Sequence, residues 1–238
     1  MKILAIESSS LVASVALAED DTLIAEYTSN YKKTHSQTLL PMIDEMCRMV
    51  EFDPKEVDAI AVSAGPGSFT GLRIGSATAK GLGLAWKKPL IAVPTVEAMA
   101  YNFYDSSRLV VPIMDARRKQ VYTGIYRCKD GTVETVLGQC LITIDILMDK
   151  IEELGENVVF LGDGVPVFRE ELEEKLTVSA VFAPLQMNRQ RASSVAKLGE
   201  KYFAEGKIQT AAEHAPDYIR PSQAEREGAI PKGRKQNQ

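Results

Sequence analysis

The stretch Gly65-Pro66-Gly67-Ser68-Phe69-Thr70-Gly71-Leu72-Arg73-Ile74-Gly75 packs four glycines and a proline into eleven residues, just after a short apolar run. Such a turn needs positive φ angles or a very close approach of the backbone to another group. It lies between an expected strand at 57–63 and an expected helix at 70–86. Unpaired N–H groups point outward at a helix start, so a glycine-rich turn there can cradle a phosphate. It can equally serve to pack a helix tightly. The glycines continue into the helix as Gly71, Gly75 and Gly83, with Ala79 completing the four-residue interval. Residues i and i+4 share a face, so one side of this helix is nearly bare of side chains. Each glycine costs about 1 kcal/mol of helix stability relative to alanine. A backbone must therefore come close, either the chain's own sheet or a partner helix, as in small-xxx-small contacts.

Other chemistry-bearing residues are sparse. The two histidines, His35 and His214, are nearly the whole chain apart and cannot present two nitrogens to one ion from adjacent helical turns. His35 is expected at the start of the first helix, and His214 in an exposed polar segment. Ser68 has no histidine nearby in sequence, and no Gly-x-Ser-x-Gly elbow occurs. Cys47, Cys128 and Cys140 form no CxxC pair and no zinc spacing, which reads as free thiols in a reducing compartment. The apolar run at the start stops at Glu7, too short for a signal peptide, and no run approaches the ~18 apolar residues of a membrane span. With 238 residues, 45% hydrophobic and 25% charged, and a net charge of −4, the chain reads as an ordinary cytoplasmic globular protein without the overall basic balance of an autonomous nucleic-acid binder.

The elements that must position these residues fall into two similar runs. Strand-like segments at 3–6, 12–17 and 23–27 precede a helix at 36–50, the strand at 57–63, the helix at 70–86, a strand at 90–93 and a helix at 95–104. The order βββαβαβα then recurs, with strands at 109–114, 121–126 and 132–137, helices at 144–154, 165–175 and 193–204, and strands at 158–161 and 178–182. A repeated supersecondary unit points to duplication. It gives an expected division into residues 1–104 and 105–220, with the last helix able to pack back on the first unit. The polar, aperiodic segment 221–238 is expected to be disordered. In each run an acid, Glu7 or Asp115, stands where the first strand meets its hairpin.

This α/β duplication resembles the actin, Hsp70 and sugar-kinase (ASKHA, RNase H-like) superfamily, in which paired hairpins clasp ATP phosphates and the acids hold magnesium. The resemblance makes Glu7, Ser8, Ser9, Asp115 and Arg118 the candidates for a cofactor site. Neither hairpin contains glycine, however: one reads Glu7-Ser8-Ser9-Ser10, the other Asp115-Ala116-Arg117-Arg118-Lys119. The cations of the second could bind phosphate through their side chains or form a solvated hairpin tip. The turn Gly162-Asp163-Gly164 is similar to the superfamily's nucleoside-side loop and also fits a plain strand-to-helix connection.

A closer resemblance comes from the long glycine motif together with Ile3-Leu4-Ala5-Ile6-Glu7-Ser8-Ser9, His35-Ser36, Leu39-Leu40-Pro41, Met114-Asp115-Ala116-Arg117-Arg118 and Pro216-Asp217-Tyr218-Ile219-Arg220. These are similar to the TsaB (YeaZ) family over about residues 1–220, with Glu7 where many relatives carry Asp. The resemblance implies a non-catalytic dimerisation subunit in the transfer of threonylcarbamoyl to the adenosine beside the anticodon of ANN-reading tRNAs. It implies that the chain binds and activates the catalytic subunit TsaD, helps recruit the ATPase TsaE, can form a homodimer alone, and meets tRNA through the complex. No cofactor is implied for the isolated chain, and ATP or ADP only in the assembly. The first two helices would form the interface, through Leu39, Leu40, Ile43, Met46 and Cys47 on one and Gly71, Ile74, Gly75, Thr78, Ala79 and Leu82 on the other. On this reading Gly75→Leu or Ile43→Asp would leave a folded chain unable to form the heterodimer with TsaD. A metallopeptidase and a sugar-kinase-type nucleotide binder are the alternatives.

Overall fold

The computed structural model describes residues 1–219; the expected tail at 221–238 lies outside the described residues. The first run folds as β1 (Lys2–Glu7), β2 (Ala13–Glu19), β3 (Thr22–Ser29), α1 (His35–Met49), β4 (Ala59–Gly65), α2 (Phe69–Trp86), β5 (Leu90–Pro94) and α3 (Thr95–Ala100). The second run gives β6 (Leu109–Asp115), β7 (Gln120–Lys129), β8 (Thr132–Thr143), α4 (Ile144–Leu154), β9 (Val158–Leu161), α5 (Val165–Lys175), β10 (Ala180–Phe182) and α6 (Ala192–Ala204).

The two sheets carry one topology. Their strand orders are β3-β2-β1-β4-β5 and, read in the same sense, β8-β7-β6-β9-β10. In each, the first strand pairs antiparallel with the second and parallel with the fourth. The central strands β1 and β4 are buried on both faces, which explains their continuous apolar character.

Each sheet is covered on both sides, and the third helix of the second run returns to the first sheet. Helices α1 and α2 pack on one face of the first sheet, around Leu39, Ile43, Met46, Ile60 and Val62. Helix α6 covers the other face with Val195, Ala196 and Leu198 against Ile3, Ala61 and Ile91. Helix α3 packs with the second sheet, placing Val96, Met99 and Ala100 beside Val110, Tyr126 and Leu161. The third helix of the first run thus lies between the two sheets, with Ala98 in the cluster of the first and Val96, Met99 and Ala100 in that of the second. The interaction of Arg191 with Glu26, and the bond from the Ala192 amide to Ser14 Oγ at 3.0 Å, fasten α6 to β2 and β3. Among the described residues no helix is long and apolar enough to cross a membrane.

Candidate functional site: an inter-domain cleft and the outer face of two helices

The carboxyl ends of β1 and β6 open onto a cleft of about 800 Å³ between the two sheets. Its walls come from Ser9 and Ser10, the segment Lys33 to Ser36, the glycine turn, Asp115 to Arg117, Asp163, and Asp217 to Ile219.

Glu7 lies beneath this cleft and is 1% exposed. Its Oε1 accepts from the Ser9 amide at 2.6 Å and from Ser9 Oγ at 2.5 Å. Burial raises its pKa, against the pull of those hydrogen bonds. Ser8 is fully buried, and its hydroxyl donates to the Gly71 carbonyl at 3.0 Å. Glu7 and Ser8 are thus structural members of the first hairpin and do not line the cleft, contrary to the cofactor-site expectation. Asp115 reaches the cleft but is engaged by the Arg117 amide at 2.8 Å and by its guanidinium at 3.1 Å. Arg118 is exposed at the hairpin tip.

The glycine turn also has an internal explanation. Gly71 and Gly75 sit against Ser8 and Gly67 against Ser9, so that a Cβ at any of these would overlap a neighbour, and a Cβ at Gly83 would be tight against Leu90. The Ser68 amide donates to the Ser9 carbonyl at 2.6 Å, and Ser68 Oγ caps the Gly71 amide at 3.3 Å. The first hairpin thus packs directly against this turn, whose other side borders the cleft. The backbone that comes close is the chain's own.

This corrects the interface expectation. Leu39, Ile43, Met46 and Cys47 are buried in the first core, as are Gly71, Gly75 and Ala79, so none of these seven is available to a partner. Ile74 and Leu82 are half-buried margins of that core, and Thr78 is half-buried between them on α2. Leu40 alone of the expected set is well exposed, at 52%. With Gly75 against Ser8 and Ile43 in the core, Gly75→Leu and Ile43→Asp would break the fold itself.

The outer face of α2 carries a second small-residue series, Ala77, Gly81 and Ala85, beside Leu84 at 67% exposure. A Cβ at Gly81 would meet nothing within 4 Å. Leu40 and Met49 stand out from the adjoining α1, Met49 at 65% exposure. Sequence periodicity could not separate the two faces of α2, because both repeat every four residues.

Residues not anticipated as site members complete the cleft. His35 is the first residue of α1, and its Nε2 bonds the Ser10 carbonyl at 2.8 Å, pinning the helix to the first hairpin. Asp163, from the Gly162-Asp163-Gly164 turn already noted, places its carboxyl in the cleft, where burial raises its pKa. Residues 217–219 also line the cleft. The Asp217 amide donates to the Ala64 carbonyl at 2.7 Å, and Tyr218 packs on Phe69 with ring centroids 4.8 Å apart. His214, expected to be exposed, is 1% exposed and bonds Gln209 through Nδ1 at 3.1 Å. Among the described residues no group of three His, Cys, Asp or Glu side chains gathers at ion-holding distance.

Two sheets of one duplicated topology, facing each other across a cleft at the carboxyl ends of their first strands, define a protein of the actin-like ATPase and sugar-kinase fold. A component of (R)-2-hydroxyglutaryl-CoA dehydratase from Acidaminococcus fermentans shares that fold at a TM-score of 0.50 and 12% identity, over 86% of this chain and 99% of its own. A family model described as "TsaD: tRNA N6-adenosine threonylcarbamoyltransferase" matches residues 22–228. The tRNA threonylcarbamoyladenosine biosynthesis protein TsaB of Bacillus subtilis is 34% identical over 94% of this chain and 96% of its own length. YeaZ from Pseudomonas aeruginosa superposes with a TM-score of 0.75 at 25% identity, covering 91% of this chain and 99% of that one. The chain belongs to the TsaB (YeaZ) family, whose role lies in tRNA threonylcarbamoyladenosine biosynthesis.

Proposed function

We propose that this chain is a non-catalytic scaffold that binds and activates a TsaD-type transferase through the outer face of α1 and α2. The observation that carries the reading is the open Ala77-Gly81-Ala85 series flanked by Leu84 and Leu40, since a helix without side chains along one line admits a second helix to close range. Exposed Met49 extends the apolar patch with an adaptable side chain. The same face would serve a homodimer of the isolated chain, the two uses being exclusive. Recruitment of a TsaE-type ATPase belongs to the composite surface. A nucleotide acts in that assembly and not in this chain's cleft, whose floor is lined by Asp115 and Asp163.

The test is co-purification with TsaD followed by a tRNA modification assay with and without this chain. Leu84→Asp and Gly81→Leu, both at exposed positions, should abolish the complex on gel filtration while leaving the circular dichroism spectrum unchanged. An intact complex with both variants refutes the docking face, and modification independent of the chain refutes the scaffold role.

A further inference from the structure

The second hairpin tip has an unusual backbone. Arg117, Arg118 and Lys119 all adopt left-handed φ angles, of 66°, 57° and 57°. Each is a non-glycine residue in a region that L-amino acids seldom enter. Such conformations persist only where the surroundings over-determine them, and they cluster at ligand clamps. Here the Arg117 amide is tied to Asp115 Oδ1, the Gln120 amide to the Arg117 carbonyl at 3.1 Å, and the Ile144 amide to the Lys119 carbonyl at 2.9 Å. The result is a rigid tip holding three exposed cations. Arg118 has no ion pair among the described residues, and Arg117 is 86% exposed despite its contact with Asp115. Across the cleft, exposed Lys33 lines the opposite wall, likewise without an ion pair among the described residues.

Lys33 and Arg117 therefore line one opening from its two sides, and Arg118 and Lys119, the latter 3.7 Å from Glu171, stand exposed beside Arg117 on the tip. An anion entering that opening would meet carboxylates: Asp115 and Asp163 line the interior, and an unpartnered, buried oxygen of Asp163 lies there. Asp217 to Ile219 line it as well. A small phosphate compound inside gains little from walls that carry these carboxylates. An extended polyanion lying across the rim reaches both sets of cations without descending.

We propose that Lys33 and the Arg117-Arg118-Lys119 tip form a clamp for the sugar–phosphate backbone of RNA across the cleft mouth. The inference rests on the family's role in tRNA modification and is independent of the α1/α2 docking face. Phosphate contacts of this kind position a nucleic acid without reading its sequence. With so few cations on a chain of net charge −4, the contact is weak alone and adds to whatever a partner supplies.

The test is fluorescence anisotropy of a labelled anticodon stem–loop RNA titrated with the full-length chain at about 20 mM salt, where the counterion contribution is large. Lys33→Glu and Arg118→Glu, both on exposed side chains, should each weaken binding about tenfold and lower the salt slope by about one. Lys55→Glu, beside the amino end of β1, and Leu84→Asp, on the docking face, should leave binding unchanged. The clamp is overturned if wild-type protein shows no binding at this salt, or if the two rim variants bind as wild type. Binding of inorganic tripolyphosphate without binding of RNA overturns it as well, by assigning the rim to a small anion. Loss of RNA binding in Leu84→Asp with the rim variants unaffected places the contact elsewhere.

Discussion

Two glycines on one helix should respond unequally to the same substitution. Gly71 and Gly81 both lie in α2, and replacing either by alanine gains about 1 kcal/mol of helix propensity. At Gly81 the new methyl group meets nothing within 4 Å, so the gain stands alone. At Gly71 it would overlap the backbone carbonyl of Ser8 and touch His35 Cδ2 at 3.3 Å. The carbonyl belongs to the first hairpin and cannot rotate away as a side chain could. Overpacking of this kind costs about 1–3 kcal/mol, enough to cancel or reverse the propensity gain. Gly71→Ala should therefore be less stable than Gly81→Ala by about 1–3 kcal/mol, a difference of about 2–12 °C in melting temperature for a chain of this size. Thermal denaturation followed by circular dichroism on dilute protein measures it. If Gly71 instead faced a partner, the free chain would gain equally from both substitutions. Equal melting temperatures would refute the inward assignment of the glycine seam.

Two buried ionisable groups make further predictions. Burial lowers the pKa of His214 below its ordinary 6.5, so the unfolded state takes up a proton before the folded state does. Stability should fall as pH drops below about 6.5, and His214→Gln should flatten this part of a pH–stability profile measured by urea denaturation; an unchanged slope would show that His214 does not carry it. Glu7 has the opposite linkage: its folded pKa is raised by burial, so the unfolded chain ionises first and stability declines as pH rises above about 4.5. Glu7→Gln keeps an acceptor for the Ser9 amide and hydroxyl and should be at least as stable as wild type at neutral pH; a marked loss there would mean that the carboxylate charge is needed.

The alternation of the strands and the turns between them made nearly every element legible, because period-two burial and turn chemistry are local. The expected helix at 95–104 stops at Ala100, where Tyr101, Asn102 and Phe103 form turns back to Ala98, Met99 and Ala100. The placement of α3 was less visible than the return of α6 to the first unit, which the order of elements already allowed. It depends on which sheet each helix meets, a relation set by tertiary packing and not by the local pattern. The cleft posed the same difficulty. Asp163 and Tyr218 join it through long-range packing, although both stand in stretches the sequence had already singled out. His214 misled because its neighbours are polar, whereas its own side chain turns inward to Gln209.

The glycine seam and the docking face are linked through the geometry of one helix. With Gly71, Gly75 and Gly83 bare, α2 can press against the Ser8–Ser9 hairpin and β5 more closely than a helix with side chains on that face. Pressing inward fixes its rotation, and that rotation turns Ala77, Gly81 and Ala85 toward solvent. The turn Gly65-Pro66-Gly67, whose Gly65–Pro66 peptide is cis, brings β4 into α2 with Ser68 as the N-cap. The same close approach places the Ser9 carbonyl on the Ser68 amide, where a phosphate acceptor would otherwise compete. The internal contact thus also orients the outward small-residue face, so on the proposed docking Ser8 and Ser9 would act on the complex without touching a partner. Enlarging Ser8 should tilt α2 and weaken the complex with TsaD. Ser8→Val adds bulk where Gly75 leaves no room, whereas Ser8→Ala removes only the hydroxyl donated to the Gly71 carbonyl. On gel filtration with TsaD, Ser8→Val should lose complex and Ser8→Ala should retain it; equal behaviour of the two would break the link between the inner seam and the outer face.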